Sequence, residues 1–237
     1  MREDADVETS SDAYARRFAG AIGTWFLEVQ ARATLELLRP WPGGRVLDFG
    51  GGHGQLTGAL VEAGFAVTVY ASDERCQTRV REWTGTGRAC FVSGDLLAAP
   101  LPDRAFDVVL AYRLLPHVRT WRELIGELAR LARHAIVVDY PAARSVNALS
   151  GALFGLKKRV EKDTRPFTVF QGSEIQEAFA ARGFVGSGCH PQFVFPMALH
   201  RAMGSVTLTR ALEAGASAVG LRRAFGSPVL LRVERRD

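Results

Sequence analysis

The stretch "VLDFGGGHGQL" constrains the fold of this chain more than any other, because it places four glycines within five positions directly after a hydrophobic run. Glycine at that density makes a poor interior for a strand or a helix. The pattern therefore predicts a short buried strand, "RVLDFG", then a turn of bare backbone, then a helix that ends at Gly64. Two interpretations are open at this point: a tight turn, or a cradle for a ligand.

Strands and helices alternate after this loop. Helical segments separate apolar runs that predict six further strands. These runs are "AVTVYAS", "CFVSG", "AFDVVLAY", "HAIVVDY", "PQFVFPM" and "PVLLRVERR". Such alternation builds right-handed βαβ units with helices on both faces of a parallel sheet. The predicted fold class is α/β: a doubly wound, seven-stranded, mostly parallel sheet with N-terminal helices and lid insertions.

We expect one domain over residues 1–237. Residues 1–41 are an N-terminal helical cap in which an acidic tail precedes Ser10 or Ser11, the expected helix cap. Residues 42–140 are the ligand-binding core. Residues 141–172 and 197–226 interrupt the late strands, where long segments usually form lids or substrate walls.

Composition excludes several classes of protein. No run approaches the ~20 apolar residues of a membrane span, and the start of the chain is acidic, unlike a secretory signal. Three cysteines without CxxC pairing are typical of reduced thiols, so we expect a cytoplasmic protein. The net charge of +5 mildly favours anionic partners. Acids interrupt the basic runs, and aromatics are not interleaved with them, which argues against a nucleic-acid partner.

The spacing of the glycines distinguishes two ligand chemistries. A dinucleotide loop, GxGxxG counted from Gly50, would need Gly or Ala where Gln55 stands. The chain instead has Asp48 followed by Gly50, Gly52 and Gly54, an acid and then glycines at every second position. This pattern resembles the first motif of class I S-adenosylmethionine-dependent methyltransferases.

The resemblance implies S-adenosylmethionine as the cofactor. That molecule carries an ammonium group and no phosphate, so Asp48 is expected to hold the ammonium. Gly50, Gly51, Gly52 and Gly54 would let the cofactor lie against the backbone. The metal-dependent members have clustered acids beyond strands four and five, where this chain has only Asp139. We therefore expect no metal.

Further matches follow in the family's order over residues 42–140. "FVSGDL" places Asp95 where the family's acid meets the adenine amino group, with Leu96 beside it. "LPDRAFDVVLAY" is similar to the approach to strand four and brings Ala111 to the end of that strand. His117, in "LLPHV", follows at the ligand-binding edge. His117 is the candidate catalytic base for a hydroxyl acceptor, and the alternative is that it orients the loop or packs over the ligand.

The second strand departs from the family. Members carry an acid at its end that binds both ribose hydroxyls, whereas alignment places Ala71 there, followed by Ser72. Asp73 comes two residues later. It either reaches the ribose or caps the helix that begins near residue 74, and both interpretations stay open.

The N-terminal helices supply candidates for the methionine end of the cofactor. Tyr14, Arg16 and Arg17 resemble residues that family members fold over that end, and an arginine could pair with its carboxylate. Arg32 is the rival for that role.

The absence of two sequence motifs reduces the number of acceptor classes that we consider. "AYRLL" follows strand four in place of the Asn/Asp-Pro-Pro-aromatic motif of enzymes that methylate adenine amino groups or protein amides, and no cysteine has the Pro-Cys or Thr-Cys context of a cytosine-methylating nucleophile. We expect methylation of an O or N atom of a hydrophobic small molecule such as a quinone, lipid or natural product. The alternatives are an RNA methyltransferase and a non-catalytic scaffold. Residues 147–165, apolar and then basic, suit either a lid or contact with an anionic membrane surface.

Overall fold

The computed structural model describes residues 3–145 and 167–236, and these form a seven-stranded sheet in the order β3-β2-β1-β4-β5-β7-β6. The strands are β1 (Arg45–Phe49), β2 (Ala66–Ala71), β3 (Ala89–Ser93), β4 (Phe106–Ala111), β5 (Ala132–Tyr140), β6 (Phe184–Phe193) and β7 (Ser227–Arg235). Only β7 runs against its neighbours, since it pairs antiparallel with both β5 and β6. The predicted doubly wound, mostly parallel sheet is confirmed.

Helices flank the sheet on both faces. Those of the described residues are α1 (Ala5–Thr9), α2 (Asp12–Arg16), α3 (Gly20–Leu38), α4 (Thr57–Glu62), α5 (Arg81–Thr84), α6 (Trp121–Leu131), α7 (Gly172–Ala180), α8 (Met197–Met203), α9 (Val206–Ala218) and α10 (Leu221–Phe225). Short 3-10 turns follow three of the strands, at Gly51–His53, Glu74–Arg79 and Leu115–His117.

The core has two layers because successive strand residues point to opposite faces of the sheet. Leu47 and Phe49 of β1 pack in one layer with Leu124 of α6. Val46 packs in the other layer with Leu38 of α3. The apolar faces on both sides fix the strands so that the loops after β1 to β4 meet at one edge of the sheet.

The N-terminal cap is helical, as predicted, but it begins earlier. Ser11 caps α2 by accepting a hydrogen bond from the N–H of Tyr14 at 3.2 Å, and α3 begins at Gly20, which has a φ of +78°. The expectation of a polar tail before Ser10 is wrong, because α1 occupies it. Ala5 is buried in the core layer that contains Phe49, so tertiary contact stabilises a helix of only five residues.

Among the residues described, no helix combines the length and apolar character needed to cross a membrane. The segment 147–165, for which we predict a lid or membrane contact, lies outside the described residues.

Candidate active site

The glycine loop between β1 and α4 fits closely against its neighbours. Gly50 and Gly54 have φ values of +75° and +69°, in the left-handed region that favours glycine, and they bracket the turn Gly51–His53. A Cβ on Gly51 would overlap the carboxylate of Asp48, and one on Gly52 would overlap Cys76. Bare backbone is therefore required at both of these positions, whereas the next residue, His53, has a buried side chain.

Asp48, beneath this loop, is fully buried, and neither of its carboxylate oxygens has a hydrogen-bond partner. Burial raises the pKa of Asp48 to about 7. A buried carboxylate without partners costs free energy that a cation could offset. The residue thus fits the ammonium group of S-adenosylmethionine.

His53 offers the complementary chemistry in the same loop. Its Nδ1 accepts a hydrogen bond from the N–H of Gln55 at 3.1 Å, so the ring proton resides on Nε2, which is buried without a partner. Burial, together with the positive charge of Arg113, lowers the pKa of His53 to about 3. The neutral ring can donate to a carboxylate, and Asp48 and His53 together suit an amino-acid end of a ligand.

A second part of the site lies at the ends of β2 and β3, where an open cavity of about 690 Å³ is acidic. Its lining includes Ser72, Asp73, Glu74, Ser93, Gly94 and Asp95. The Oδ1 of Asp95 accepts a hydrogen bond from the N–H of Leu97 at 2.9 Å, and Leu96 is buried in the core. Carboxylates here can accept hydrogen bonds from the amino and hydroxyl groups of a nucleoside.

Asp73 caps the turn Glu74–Arg79, as one of the two interpretations predicted. Its Oδ1 accepts hydrogen bonds from the N–H of Arg75 at 2.8 Å and from its Nε at 2.9 Å, while Oδ2 accepts from Nη2 at 3.0 Å. Asp73 also lines the cavity, so the geometry leaves a ribose contact as a prediction. Ala71 is buried at the end of β2.

Arg113 is a site residue that sequence reasoning missed. It follows β4 with φ +56°, and its N–H donates to Asp139 Oδ1 at 2.5 Å. Its guanidinium donates to Gln30 Oε1 at 2.8 Å and to Tyr14 Oη at 3.3 Å. A left-handed conformation is uncommon for arginine. The one available signal was its position, two residues past the end of a parallel strand.

The arginines predicted from the N-terminal helices lie elsewhere. Arg17 is exposed, pairs with Glu8 at 3.9 Å and lies over the ring of Tyr14. Arg32 lines a groove at the β6 edge of the sheet together with Arg210. The structure therefore does not bring Arg32 to the glycine loop. The side of α3 that carries Arg32 faces β6, whereas the glycine loop follows β1. Of the residues predicted from the cap, Tyr14 contacts Arg113, and Phe18 and Gln30 of the cap contact it as well.

His117 lies in the turn Leu115–His117, beyond Ala111 at the end of β4. Its ring centroid is 5.6 Å from that of Phe167, and the N–H of Thr168 donates to the C=O of Pro116 at 2.9 Å. The residue thus packs beneath the chain that re-enters the described structure at residue 167. Its role as base or as packing residue stays a prediction.

Comparison of this chain with known proteins identifies its family. The family described as "Methyltransferase domain" matches residues 25–186, which is more than half of the chain. The chain belongs to this methyltransferase family. A curated relative, an uncharacterized methyltransferase of Anoxybacillus flavithermus, is 33% identical over 93 residues, which are 38% of this chain and 43% of that protein. The chain thus matches less than half the length of this relative.

Two solved structures have the same fold. Magnesium protoporphyrin IX methyltransferase from Synechocystis PCC 6803, with bound S-adenosylhomocysteine, has a TM-score of 0.65 at 18% identity and covers 95% of this chain and 94% of its own. The 1,6-didemethyltoxoflavin-N1-methyltransferase of Burkholderia thailandensis has a TM-score of 0.58 at 17% identity. The match covers 88% of this chain and 77% of that protein. This structure too holds S-adenosylhomocysteine.

The predicted family, class I S-adenosylmethionine-dependent methyltransferases, is confirmed. Within the ranges 3–145 and 167–236, no group of three or more His, Cys, Asp or Glu side chains could hold a metal ion.

Proposed function

We propose that this chain transfers the methyl group of S-adenosylmethionine to an O or N atom of a hydrophobic small molecule such as a quinone, lipid or natural product. The cofactor supplies an electrophilic methyl on a sulfonium. Displacement at that carbon is in line, so positioning the acceptor accounts for much of the acceleration. The chain must therefore offer an acceptor pocket near the methyl donor.

A cavity of about 260 Å³ beside Arg113 carries this proposal. Its walls come from α3, from the end of β6 and from the segments around them. The lining residues are Phe18, Phe26, Gln30, Arg113, Gln192, Phe193, Phe195, Met197, Ser227 and Pro228. Phe26 and Phe193 are stacked, with ring centroids 3.9 Å apart. Aromatic and thioether walls of this kind suit a flat apolar ligand.

The buried polar atoms of this cavity that lack a partner are all hydrogen-bond donors. Gln30 Nε2, Gln192 Nε2 and Arg113 Nε are buried donors without a partner. Buried donors of this kind are costly unless an acceptor atom reaches them. An acceptor molecule with a carbonyl, carboxylate or phenolate oxygen would satisfy them while its apolar body contacts the phenylalanines.

The cavity adjoins the cofactor loop through Arg113. This residue lines the cavity and is also close enough to His53 to lower the pKa of that ring. The Glu213 carboxylate fixes the far wall, because it accepts hydrogen bonds from the N–H groups of Val194 and Phe195 at 3.0 and 3.1 Å. Nε2 of the buried His200 lies 3.0 Å from the same carboxylate. The pocket is thus held by buried polar contacts.

Two observations favour a small molecule over RNA. The two solved structures described above are named for small-molecule acceptors. Basic residues near the end of the chain are engaged within the fold: Arg232 donates to the C=O of Leu37 at 2.9 Å, and Arg235 donates to the C=O of Ala132 at 2.7 Å. Both arginines therefore connect elements of the fold.

The test is a methyl-transfer assay with radiolabelled S-adenosylmethionine, run against a panel of quinols, phenols, aromatic carboxylates and amines, with total RNA in parallel. We expect label on at least one aromatic small molecule and none on RNA. Labelling of RNA alone would overturn the acceptor class. Failure of calorimetry to detect either S-adenosylmethionine or S-adenosylhomocysteine would overturn the activity itself and leave a scaffold role.

A further inference from the structure

Asp6, on the first turn of α1, is a fully buried carboxylate outside the glycine loop. Its Oδ2 accepts a hydrogen bond from the N–H of Ser72 at 2.7 Å. Its Oδ1 is buried and has no hydrogen-bond partner. One oxygen therefore anchors α1 to the residue that follows β2, and the other is left for a donor from outside the protein.

The surroundings place Asp6 between two loops of the cofactor site. Ser10 Oγ donates to the C=O of Asp6 at 2.8 Å, and a Cβ on Gly52 would come within 2.6 Å of the same hydroxyl. On the other side, Ser72 lines the acidic cavity at the ends of β2 and β3. The unpaired oxygen of Asp6 thus lies where the loops after β1 and β2 converge.

Asp6 differs from the residues that end and follow β2 because it is a buried carboxylate, whereas Glu74, which also lines the cavity, is exposed. Ala71 ends the strand with a methyl side chain. Asp73 receives three hydrogen bonds from Arg75, which use both of its oxygens. The N-terminal helix therefore brings a carboxylate to a place where the strand itself lacks one.

We propose that Asp6 binds the ribose of S-adenosylmethionine through a hydrogen bond from a ribose hydroxyl to Oδ1. The two vicinal hydroxyls of that sugar are donors, and a carboxylate held through its other oxygen is a suitable acceptor. The inference rests on the proposed function, since it requires that the cofactor binds. The helix α1 is then a wall of the cofactor site.

The experiment measures ribose discrimination by calorimetry. S-adenosylhomocysteine and its 2′-deoxy and 3′-deoxy analogues are titrated into the full chain, as wild type and as Asp6→Asn and Asp73→Asn. We expect the wild type to bind S-adenosylhomocysteine about tenfold more tightly than at least one deoxy analogue. Asp6→Asn should lose most of this preference, and Asp73→Asn should keep it. Glu8→Gln, on the same helix, is the matched control and should also keep it.

Asp6→Asn is chosen so that α1 keeps its contact with Ser72. The asparagine side chain keeps an oxygen that can accept from the Ser72 N–H, and amide hydrogen exchange at Ser72 reports whether it does. The discrimination ratio compares two ligands within one variant, so a general weakening of binding cancels. Asp6→Ala, measured in the same way, should show the same loss of preference.

The outcomes separate the two proposals. If the wild type binds none of the three ligands, the proposed function fails, and this inference fails with it. If the wild type binds and Asp6→Asn retains the wild-type preference, only the inference is overturned. Loss of the preference in Asp73→Asn would assign the ribose to Asp73 and would also overturn it.

Discussion

Two regions at the same edge of the sheet present opposite polar chemistry. Around the glycine loop, the buried atoms without partners are mostly acceptors, among them the carboxylate oxygens of Asp48 and Asp6, and the Nε2–H of His53 is a donor beside them. Around Arg113, they are N–H donors of Gln30, Gln192 and Arg113 itself. Unpaired acceptors suit a ligand rich in ammonium and hydroxyl donors, and unpaired donors suit a ligand with exposed oxygens. The contrast supports the proposal of two different ligands side by side, a methyl donor and a methyl acceptor.

Removal of the Asp48 charge should break this contrast most strongly. We expect Asp48→Asn to weaken S-adenosylhomocysteine binding by about 100-fold, because the ammonium loses a charge-assisted partner. The ligand-free variant should nevertheless be more stable than the wild type at pH 8. Calorimetry and thermal unfolding measure the two effects. Asp103→Asn, at an exposed residue that pairs with Arg130, is the control and should leave binding unchanged.

The sign of the stability effect follows from burial. The pKa of Asp48 is raised from 3.8 to about 7 in the folded chain, so folding disfavours its charged form. The free energy of unfolding therefore decreases as the pH rises from about 4 to about 7, by an amount on the order of 4 kcal/mol. Asparagine removes that penalty. A fall in stability at pH 8 would show that Asp48 has a stabilising partner.

The same group should make cofactor binding pH-dependent. The ammonium of the ligand prefers ionised Asp48, so affinity should be constant above pH 7 and should decrease about tenfold per pH unit just below it. Titration of the wild type with S-adenosylhomocysteine from pH 5.5 to pH 8.5 checks this. Asp48→Asn provides the reference and should show a flatter profile; an equal slope in both proteins would contradict the assignment.

Gln192→Leu tests the cavity beside Arg113, which is the proposed pocket for the methyl acceptor. With the acceptor found in the activity panel, we expect KM for that acceptor to rise about tenfold and the affinity for S-adenosylhomocysteine to stay unchanged. Gln176→Leu, on the exposed side of α7, is the matched control. Weaker cofactor binding in Gln192→Leu would mean that the two regions form one ligand site.

His117 is not among the residues that line the cavity beside Arg113, and its ring packs with Phe167. We therefore expect His117→Gln to lower kcat by less than about tenfold, since loss of a general base usually costs about 10²- to 10⁴-fold. Single-turnover rates measured across pH 6 to 9 distinguish the two roles. A loss in the larger range, together with removal of the limb on the acidic side of the pH profile, where the rate rises with pH, would identify His117 as the base.

The smallest effect is expected for Arg32→Ala. Arg32 lies on the exposed side of α3, in the groove near β6. Exposed charges at a distance are screened by salt, so the affinity for S-adenosylhomocysteine should change by less than about twofold. Calorimetry at 0.15 M salt checks this, and a tenfold loss would place Arg32 at the methionine end after all.

Sequence reasoning predicted the sheet well because its signals are local. Apolar runs and glycine turns repeat within short windows, and the parallel strands they form are buried on both faces. The same reasoning missed α1, since "DADVET" has the composition of a solvated tail. Five residues form a helix there only because Ala5 and Asp6 are buried against the loops of the sheet.

The sequence by itself determined the fold class and the cofactor loop, where Asp48 and its glycines lie within seven residues of one another. Only the tertiary structure decided which distant side chains complete the site. Asp6 reaches Ser72 across 66 positions, and Arg113 reaches Gln30 across 83. Such pairs carry no pattern along the chain, because docking of the N-terminal helices onto the sheet edge brings them together.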